Sequence, residues 1–598
     1  MDDGGSGPSG VARFPGLDHK GNLMRHTFSV LSIVVGGALA LLGLAAAVAI
    51  GPDDVGTLPP TTVSSSGART ALTAPDLFPY RNVTVQVSAR NAGGTVFVGV
   101  ANPVDVGSYL RDVTRLRVTE VGTGGELSGE TKEGSRTEPS VAPETTTFWD
   151  DSESGTGTRR LDVRLTGDPA TVAVVAGPTG GTLTMSLGVV VPHGFVAAVT
   201  TAAVGLAVVV AAVVLRRRGP RRPAGSVAPG QPDTTAATAS APTGAGPTSV
   251  GLSRSVPART AWSTTGRSPA RDRTRLAALG LVVATAVAGC ASLPERVGTA
   301  SATPVRTAVT DDEVLPAFAS YDERNNAAIA LSDQAHDPSG WESADSGAVL
   351  RADVFSTLLA GARGETEEPV VLTTAPLQVY APAFDTYPMW FMATTTASSG
   401  TGDDPDDTVD LRVLERGSVL DPWRVAAATG IPQDAAPRPL TGGRPSIATP
   451  SQQAAAVDAM TAVQTYAETG DAGTLVLGED LPAFRSDVTA VPGDIATLTH
   501  FDVRLLGDSA DPTGPRGAVR VAAVDGGALA SISFDYEKTV TASPGKTLHL
   551  EDEALAEVIG QQGDLEDVTA FGVLMVAVML PDDGPPTVLG AWASTTAP

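Results

Sequence analysis

Two long apolar segments constrain this 598-residue chain more than any other feature. Residues 28–50 and residues 195–215 contain no charged side chain. A helix rises about 1.5 Å per residue, so either segment can cross a hydrocarbon layer about 30 Å thick. The sequence therefore predicts a multi-domain membrane protein with at least two transmembrane helices.

The basic residues predict how these helices are oriented. Arg216, Arg217 and Arg218 follow the second segment directly, and the cytoplasmic flanks of membrane helices are enriched in Lys and Arg. The segment after them is rich in Pro, Thr, Ser, Ala and Gly, a composition typical of disorder. We therefore predict a cell-membrane protein with a cytoplasmic tail at 1–27, helices at 28–50 and 195–215, an exported domain at 51–194 and a disordered cytoplasmic linker at 216–274.

Residues 275–293 form a third apolar segment of a different kind. Its apolar stretch, Leu276 to Val287, has 12 residues and follows four closely spaced arginines, which suits an export signal better than a membrane span. The segment contains Val287-Ala288-Gly289-Cys290, which resembles the lipobox of bacterial lipoproteins. The resemblance implies cleavage between Gly289 and Cys290 and attachment of diacylglycerol to Cys290, the only cysteine of the chain.

Two alternatives accompany this interpretation. The segment could instead be a third transmembrane helix with an incidental cysteine, so that the chain has two or three transmembrane helices. In either case residues 291–598 lie on the extracellular side together with residues 51–194. Because a lipoprotein signal normally begins a chain, the arrangement also indicates either a genuine fusion of two envelope proteins or a gene-calling artefact.

The exported region 51–194 is predicted to be β-rich. Its Val- and Thr-rich runs alternate apolar and polar residues, and glycine pairs such as Gly93-Gly94 separate them, so we expect a sandwich-like antiparallel domain. The series Val96–Ala101, Asp105, Tyr109-Leu110 and Phe148-Trp149 resembles a group of actinobacterial membrane proteins without an established activity, and this implies a membrane-tethered domain. We interpret Phe148 and Trp149 as core packing in preference to a carbohydrate-stacking platform.

The C-terminal half is predicted to contain two exported α+β domains in tandem, residues 307–430 and 450–598. Each begins with a helix followed by several strands; Thr310 to Glu313 form a capping box before the first helix. A Pro-rich segment, residues 431–450, separates them. The order of elements suggests cone-shaped domains like nuclear transport factor 2, a fold analogy that implies no activity. The strand Tyr387–Phe391, with the lipobox, is similar to actinobacterial lipoproteins.

Composition excludes several kinds of function. The chain carries 66 acidic and 41 basic residues, and residues 291–598 carry 45 and 16, which argues against nucleic acid as a partner. A single cysteine excludes an internal disulfide framework and a Cys-based zinc site. The six histidines show no helical i, i+4 pair. We expect no cofactor and no metal site.

The sequence contains no recognisable catalytic motif. Tyr380, Asp385 and Tyr387 could supply an acid and a base if the cone fold enclosed a pocket. Our first hypothesis is a non-enzymatic envelope protein, anchored in membrane lipid, that binds another envelope protein or a cell-wall component. The alternative is an enzyme or small-ligand carrier using a pocket in the C-terminal α+β domains; a closed pocket that holds an ionisable residue would favour this alternative.

Overall fold

The computed structural model describes residues 18–63, 68–122, 126–218, 295–296, 303–398, 408–491 and 493–597. These residues divide into two compact units. One contains the described residues up to Thr57 and from Val189 to Arg218, and the other contains those from Leu58 to Gly188 and from Glu295 onward. The predicted cleavage site at Gly289 and Cys290 lies outside the described residues.

The first unit is a pair of apolar helices, α1 (Asp18–Ile50) and α2 (Gly194–Arg217), with the short strand β1 (Val55–Thr57). Thr27–Ile50 and Gly194–Arg217 each have a mean hydropathy of 2.6 and are long enough to cross a membrane. The helices pack closely: a side chain on Gly43 would place its Cβ 2.5 Å from the backbone nitrogen of Ala202. Small residues at such contacts are typical of membrane helix pairs.

The two helices are antiparallel. Asp54, just beyond α1, accepts hydrogen bonds from the backbone N–H groups of His193 (3.1 Å) and Phe195 (2.8 Å) and so caps the start of α2. At the other end of the pair, the Ser29 hydroxyl donates to the carbonyl of Ala212 (3.4 Å). The two helix ends that flank the β-rich domain therefore lie side by side, as two membrane spans with opposite directions require.

The β-rich domain of the second unit is built on one connected sheet with a half-barrel shape. Six of its strands lie side by side in the order β10-β5-β9-β3-β6-β7. In addition, β2 pairs with β10 and β8 pairs with β5. A short helix, Pro103–Tyr109, follows β5. The strands are β2 Thr61–Thr62, β3 Thr70–Thr73, β4 Tyr80–Arg81, β5 Val83–Ala101, β6 Arg115–Val121, β7 Leu127–Lys132, β8 Asp151–Leu165, β9 Thr171–Ala176 and β10 Leu183–Val190.

This single sheet differs from the sandwich that the sequence predicts. Gly93-Gly94 does not turn the chain between two strands, because β5 runs through both glycines as one strand of 19 residues. Gly93, at φ 77°, lies in an irregularity of the pairing between β5 and β8. A bulge of this kind bends a strand while its pairing resumes on both sides. The β-rich domain is therefore one connected sheet and not two stacked sheets.

The C-terminal half begins with helices that the sequence predicts well. Helix α3 (Asp311–Ala335) opens with the predicted capping box, in which the backbone N–H of Thr310 donates to Glu313 (2.9 Å). A short helix, Trp341–Ala344, precedes α4 (Gly347–Arg363). An antiparallel sheet in the order β13-β15-β16-β17 follows, and β12 pairs with β14. The strands are β11 Glu295–Arg296, β12 Arg306–Thr307, β13 Thr373–Tyr380, β14 Ala383–Phe384, β15 Met389–Ser398, β16 Thr408–Arg416 and β17 Arg424–Pro432.

The rest of the chain repeats this plan. Helices α5 (Pro450–Thr469) and α6 (Asp480–Thr489) precede a sheet in the order β18-β20-β21-β22, in which β19 also pairs with β20. A short helix, Glu553–Val558, lies between β20 and β21. The strands are β18 Ala496–Leu505, β19 Val519–Val524, β20 Gly527–Ala542, β21 Asp567–Pro581 and β22 Thr587–Thr596.

The two α+β parts share a core. Tyr380, Leu411 and Val413 of the first part pack in one buried cluster with Met575 and Ala577 of the second. The Pro-rich segment joins them: the N–H of Ser446 donates to Ala381 (2.9 Å), and its carbonyl accepts from the N–H of Ala523 (3.1 Å). The described residues between 303 and 597 therefore form one body, which we call the C-terminal body.

Candidate functional site

The three residues proposed from sequence for a ligand pocket lie in different surroundings. Tyr380 is fully buried in the core shared by the two α+β parts, and its hydroxyl donates to the carbonyl of Pro437 (2.5 Å). Tyr387 is buried in another cluster, and Asp385 is exposed. The cavity that Asp385 lines contains neither tyrosine. The structure does not bring the three together, because Tyr380 ends β13 whereas Asp385 and Tyr387 lie in the segment between β14 and β15.

Tyr387 instead belongs to a buried polar network between the β-rich domain and the C-terminal body. Its hydroxyl donates to Asp105 Oδ1 (2.7 Å), and Arg306 Nε donates to the other oxygen, Oδ2 (2.5 Å). Asp105 is only 2% exposed. Arg306 Nη2 also donates to Glu313 (2.5 Å), so the single guanidinium links two carboxylates. We call these four residues the Asp105 network.

Local structure places each member of this network. Asp105 lies on the short helix after β5, whose first turn is capped by the Asn102 side chain accepting from the N–H of Val104 (2.9 Å). Arg306 precedes α3 in β12, and its Nη1 donates to two backbone carbonyls (each 2.9 Å). Glu313 is held by its role in the capping box of α3. Each charged group therefore has a position that its own element also helps to fix.

In the Asp105 network the positive charge of Arg306 is compensated by the carboxylates around it. Burial by itself would lower the pKa of Arg306, but the carboxylates of Asp105 and Glu313 outweigh burial and raise it. Burial also raises the pKa of the Tyr387 hydroxyl, so the phenol stays protonated and donates. A buried charge is stable only when it is paired and hydrogen-bonded, and Arg306 meets both conditions.

Apolar and aromatic contacts surround the network. Phe148 and Trp149 stack against each other with ring centroids 4.4 Å apart and pack on the buried cluster that includes Tyr387. The indole N–H of Trp149 donates to the carbonyl of Pro143 (3.0 Å). Both rings are thus used in packing, as we interpreted them from sequence. The hydroxyl of Ser108 also accepts a hydrogen bond from the N–H of Val419 across the same contact (3.2 Å).

A second feature is a cavity of about 410 Å³ within the C-terminal body, which we call the arginine cavity. Arg520 is paired with Glu415 (3.2 Å), and Glu415 also accepts from the Ser346 hydroxyl (3.0 Å). Arg416 lies over the ring of Trp423, 4.4 Å from its centroid. Burial lowers the pKa of Arg416. The charged residues that line the cavity are Arg416, Arg424, Arg516, Arg520, Glu415 and Asp421.

A third feature is Asp345, which is 1% exposed and follows the short helix Trp341–Ala344. Neither carboxylate oxygen has a hydrogen-bond partner among the described residues. Burial raises the pKa of Asp345 to about 8, with a further contribution from the nearby Asp353. At neutral pH the protonated form therefore dominates, which removes the cost of an unpaired buried charge.

Sequence reasoning missed most of these residues. Asp105 appeared only as part of a resemblance, and Arg306 lies 201 positions away from it, so no local pattern joins them. Arg416, Arg424 and Arg520 lie in strands, where polar and apolar side chains ordinarily alternate, so their positions do not stand out in the sequence. One signal was present: these arginines belong to a half of the chain with only 16 basic residues.

Comparison with known proteins identifies the C-terminal half at the level of a family. No match to a curated protein was found. Residues 305–597 match the family model described as "Domain of unknown function (DUF8094)". This match spans both α+β parts, the Pro-rich segment between them, and Arg306 at its beginning. Residues 305–597 are therefore a DUF8094 domain.

Proposed function

We propose that this protein is a non-enzymatic, membrane-anchored envelope protein in which the exported β-rich domain is the docking partner of the DUF8094 domain. The Asp105 network carries this proposal. It joins a buried carboxylate of one region to a buried guanidinium and phenol of the other. These side chains have the chemistry of acid, base and cation, and each is used to hold the two regions together. The cone-shaped fold of the α+β parts stays a prediction.

The same contact supports an arrangement across the membrane. Helices α1 and α2 return the chain to the side where α1 begins, with Arg216 and Arg217 at the end of α2. Two regions that share a core must lie on one side, so the chain has to cross again between α2 and Val305. We propose that residues 275–293 provide this crossing, either as the export signal cut before Cys290 or as a third helix. Residues 51–194 and 291–598 are then extracellular.

The alternative of an enzyme or carrier built on Tyr380, Asp385 and Tyr387 has less support. Tyr380 and Tyr387 donate their hydroxyl protons to fixed structural acceptors, Pro437 and Asp105. A catalytic pair would need to share access to one pocket. We propose binding to another envelope protein or a wall component through the surface of this assembled exported body.

A protease site inserted after Gly298 tests both parts of the proposal. Added to wall-stripped cells, the protease should cut this site, whereas a matched site inserted after Ser240 should be protected until the membrane is opened. After the cut the C-terminal body has no predicted apolar segment of its own. It should nevertheless sediment with the membranes, because the docking contact holds it.

Two results would contradict the proposal. Cleavage after Ser240 in intact cells would place the linker outside and refute the topology. Release of the C-terminal body from wild-type membranes as soon as the chain is cut would refute docking. A variant with Asp105→Ala should release more of the body, and Asp112→Ala, which changes an exposed carboxylate of the same domain, should not.

A further inference from the structure

We propose that the arginine cavity is a binding site for a small polyanion, a molecule that carries a phosphate group or at least two carboxylates. The cavity lies within the C-terminal body and does not involve the β-rich domain. Its volume of about 410 Å³ is within the range of sites for small ligands, about 300–1,000 Å³. The inference goes beyond the docking function and does not depend on it.

The first argument is the distribution of charge. Residues 291–598 carry 45 acidic and 16 basic residues, so the body as a whole repels anions. Four of those 16 basic residues line this one cavity, against the two carboxylates of Glu415 and Asp421. Arg520 and Glu415 neutralise each other, which leaves three arginines against Asp421. A local excess of positive charge in an acidic body is the condition that an anion site requires.

The second argument is unused hydrogen-bonding capacity. The side chains of Arg416, Arg424 and Arg516 have no hydrogen-bond or carboxylate partner among the described residues, although Arg416 stacks on Trp423. The Nε atoms of Arg416 and Arg424 are buried and unsatisfied. Buried donors are nearly always hydrogen-bonded in folded proteins. Arg416 and Arg424 therefore line the cavity with hydrogen-bonding capacity that the described residues leave unused.

The third argument is geometry. A guanidinium presents its N–H groups as a planar fork that matches the two oxygens of a carboxylate or phosphate. Arg416 is oriented by its stacking on Trp423 and by Tyr387 on its other side, with its carbon Cζ 5.4 Å from the tyrosine ring centroid. Arg520 is fixed by Glu415 and by the carbonyl of Gly514 (3.1 Å). Two of the four cations are therefore held in place before a ligand enters.

Calorimetric titration of the detergent-solubilised full chain tests the proposal, with pyrophosphate and citrate as probes. We expect saturable 1:1 binding of at least one probe at low salt and weaker binding as NaCl is added. The preferred probe then identifies the chemistry, phosphate or polycarboxylate. Absence of saturable binding by both probes would overturn the proposal.

Three substitutions locate the binding. Arg424→Gln and Arg516→Gln should each weaken the affinity about tenfold, the usual effect of losing a charge-assisted hydrogen bond. Arg424→Lys, which keeps the charge but not the fork, should fall between wild type and Arg424→Gln. Arg444→Gln is the matched control because Arg444 is exposed and does not line the cavity.

These variants also separate binding from folding. Arg516 is exposed, so its loss should leave the melting temperature unchanged and the affinity lowered. Equal weakening by Arg444→Gln would show general charge attraction and refute the site. Unchanged affinity in both Arg424→Gln and Arg516→Gln would also refute the site. Docking of the two exported regions is measured separately by protease release, so either idea can fail alone.

Discussion

The two internal contacts of the exported body are built in different ways. Between the two α+β parts the contact is apolar, formed by residues such as Met575, Ala577 and Leu411, all at most 1% exposed. Between the β-rich domain and the C-terminal body, apolar residues surround the Asp105 network. An apolar contact is held by burial alone, whereas a buried ion pair needs the correct partner in the correct geometry.

This difference teaches how each contact is specified. At the apolar contact the backbones themselves approach closely: a Cβ on Gly590 of β22 would lie 2.0 Å from the carbonyl oxygen of Gly430 in β17. Met575 Sδ also lies 3.3 Å from the N–H of Ala428, which donates to it. The two α+β parts therefore fold as one body. The Asp105 network, with its directional bonds, is the contact through which we propose that the β-rich domain docks on the C-terminal body.

The largest expected effect is from Met575→Asp. The side chain is 0% exposed, and the new carboxylate would be buried without a partner, a change that costs several kcal/mol. We expect the whole C-terminal body to lose its cooperative unfolding transition, followed by tryptophan fluorescence. Val371→Asp, at a position 66% exposed, should change the free energy of unfolding by about 0.5 kcal/mol or less. A folded Met575→Asp body would contradict a shared core.

Asp105→Ala should have the next largest effect, at the other contact. It leaves Tyr387 without its acceptor and Arg306 with Glu313 as its only carboxylate partner, and breaking a buried pair costs about 3 kcal/mol. The C-terminal body should keep its own unfolding transition but dissociate about a hundredfold more readily after the protease cut. If Asp105→Ala instead abolished the unfolding transition of the C-terminal body, the two contacts would be equivalent and the comparison would fail.

The sequence predicts the parts of this architecture that depend on neighbouring residues. Helix α3 and its capping box depend on neighbouring residues, Thr310 and Glu313, and the two apolar helices depend on continuous segments. The single sheet was not predictable, because whether Gly93 ends or bends a strand depends on the pairing of β5 with β8. The Asp105 network and the arginine cavity join distant positions, so only the folded chain shows them.

Asp345→Asn should have a smaller effect that depends on pH. Burial raises the pKa of Asp345 to about 8, so between about pH 4 and pH 8 the folded state keeps a proton that the unfolded state has released. The free energy of unfolding should therefore fall as pH rises through this window. Asparagine removes that proton exchange, so the C-terminal body should be more stable, relative to wild type, at pH 8 than at pH 4.

Urea denaturation at pH 4 and pH 8 checks this expectation. Some pH dependence should persist in Asp345→Asn, because burial also raises the pKa of Asp353, to about 7, and this acts in the same direction. Asp434→Asn, at an exposed position, is the matched control. An unchanged pH dependence in Asp345→Asn would show that this carboxyl is not the group that titrates.

Tyr387→Phe should have the smallest effect and sharpens the comparison most. It removes one hydrogen bond, Tyr387 to Asp105 Oδ1 (2.7 Å), but keeps the ring that packs in the surrounding cluster. Arg306 still pairs with Oδ2, so the expected loss is about 1 kcal/mol, or about fivefold in dissociation after the protease cut. In an Asp105→Ala background the same substitution should cost nothing further, because its acceptor is already gone. An additive loss in the double variant would mean that the Tyr387 hydroxyl acts independently of Asp105, and the hydrogen bond between them would then contribute nothing to the docking contact.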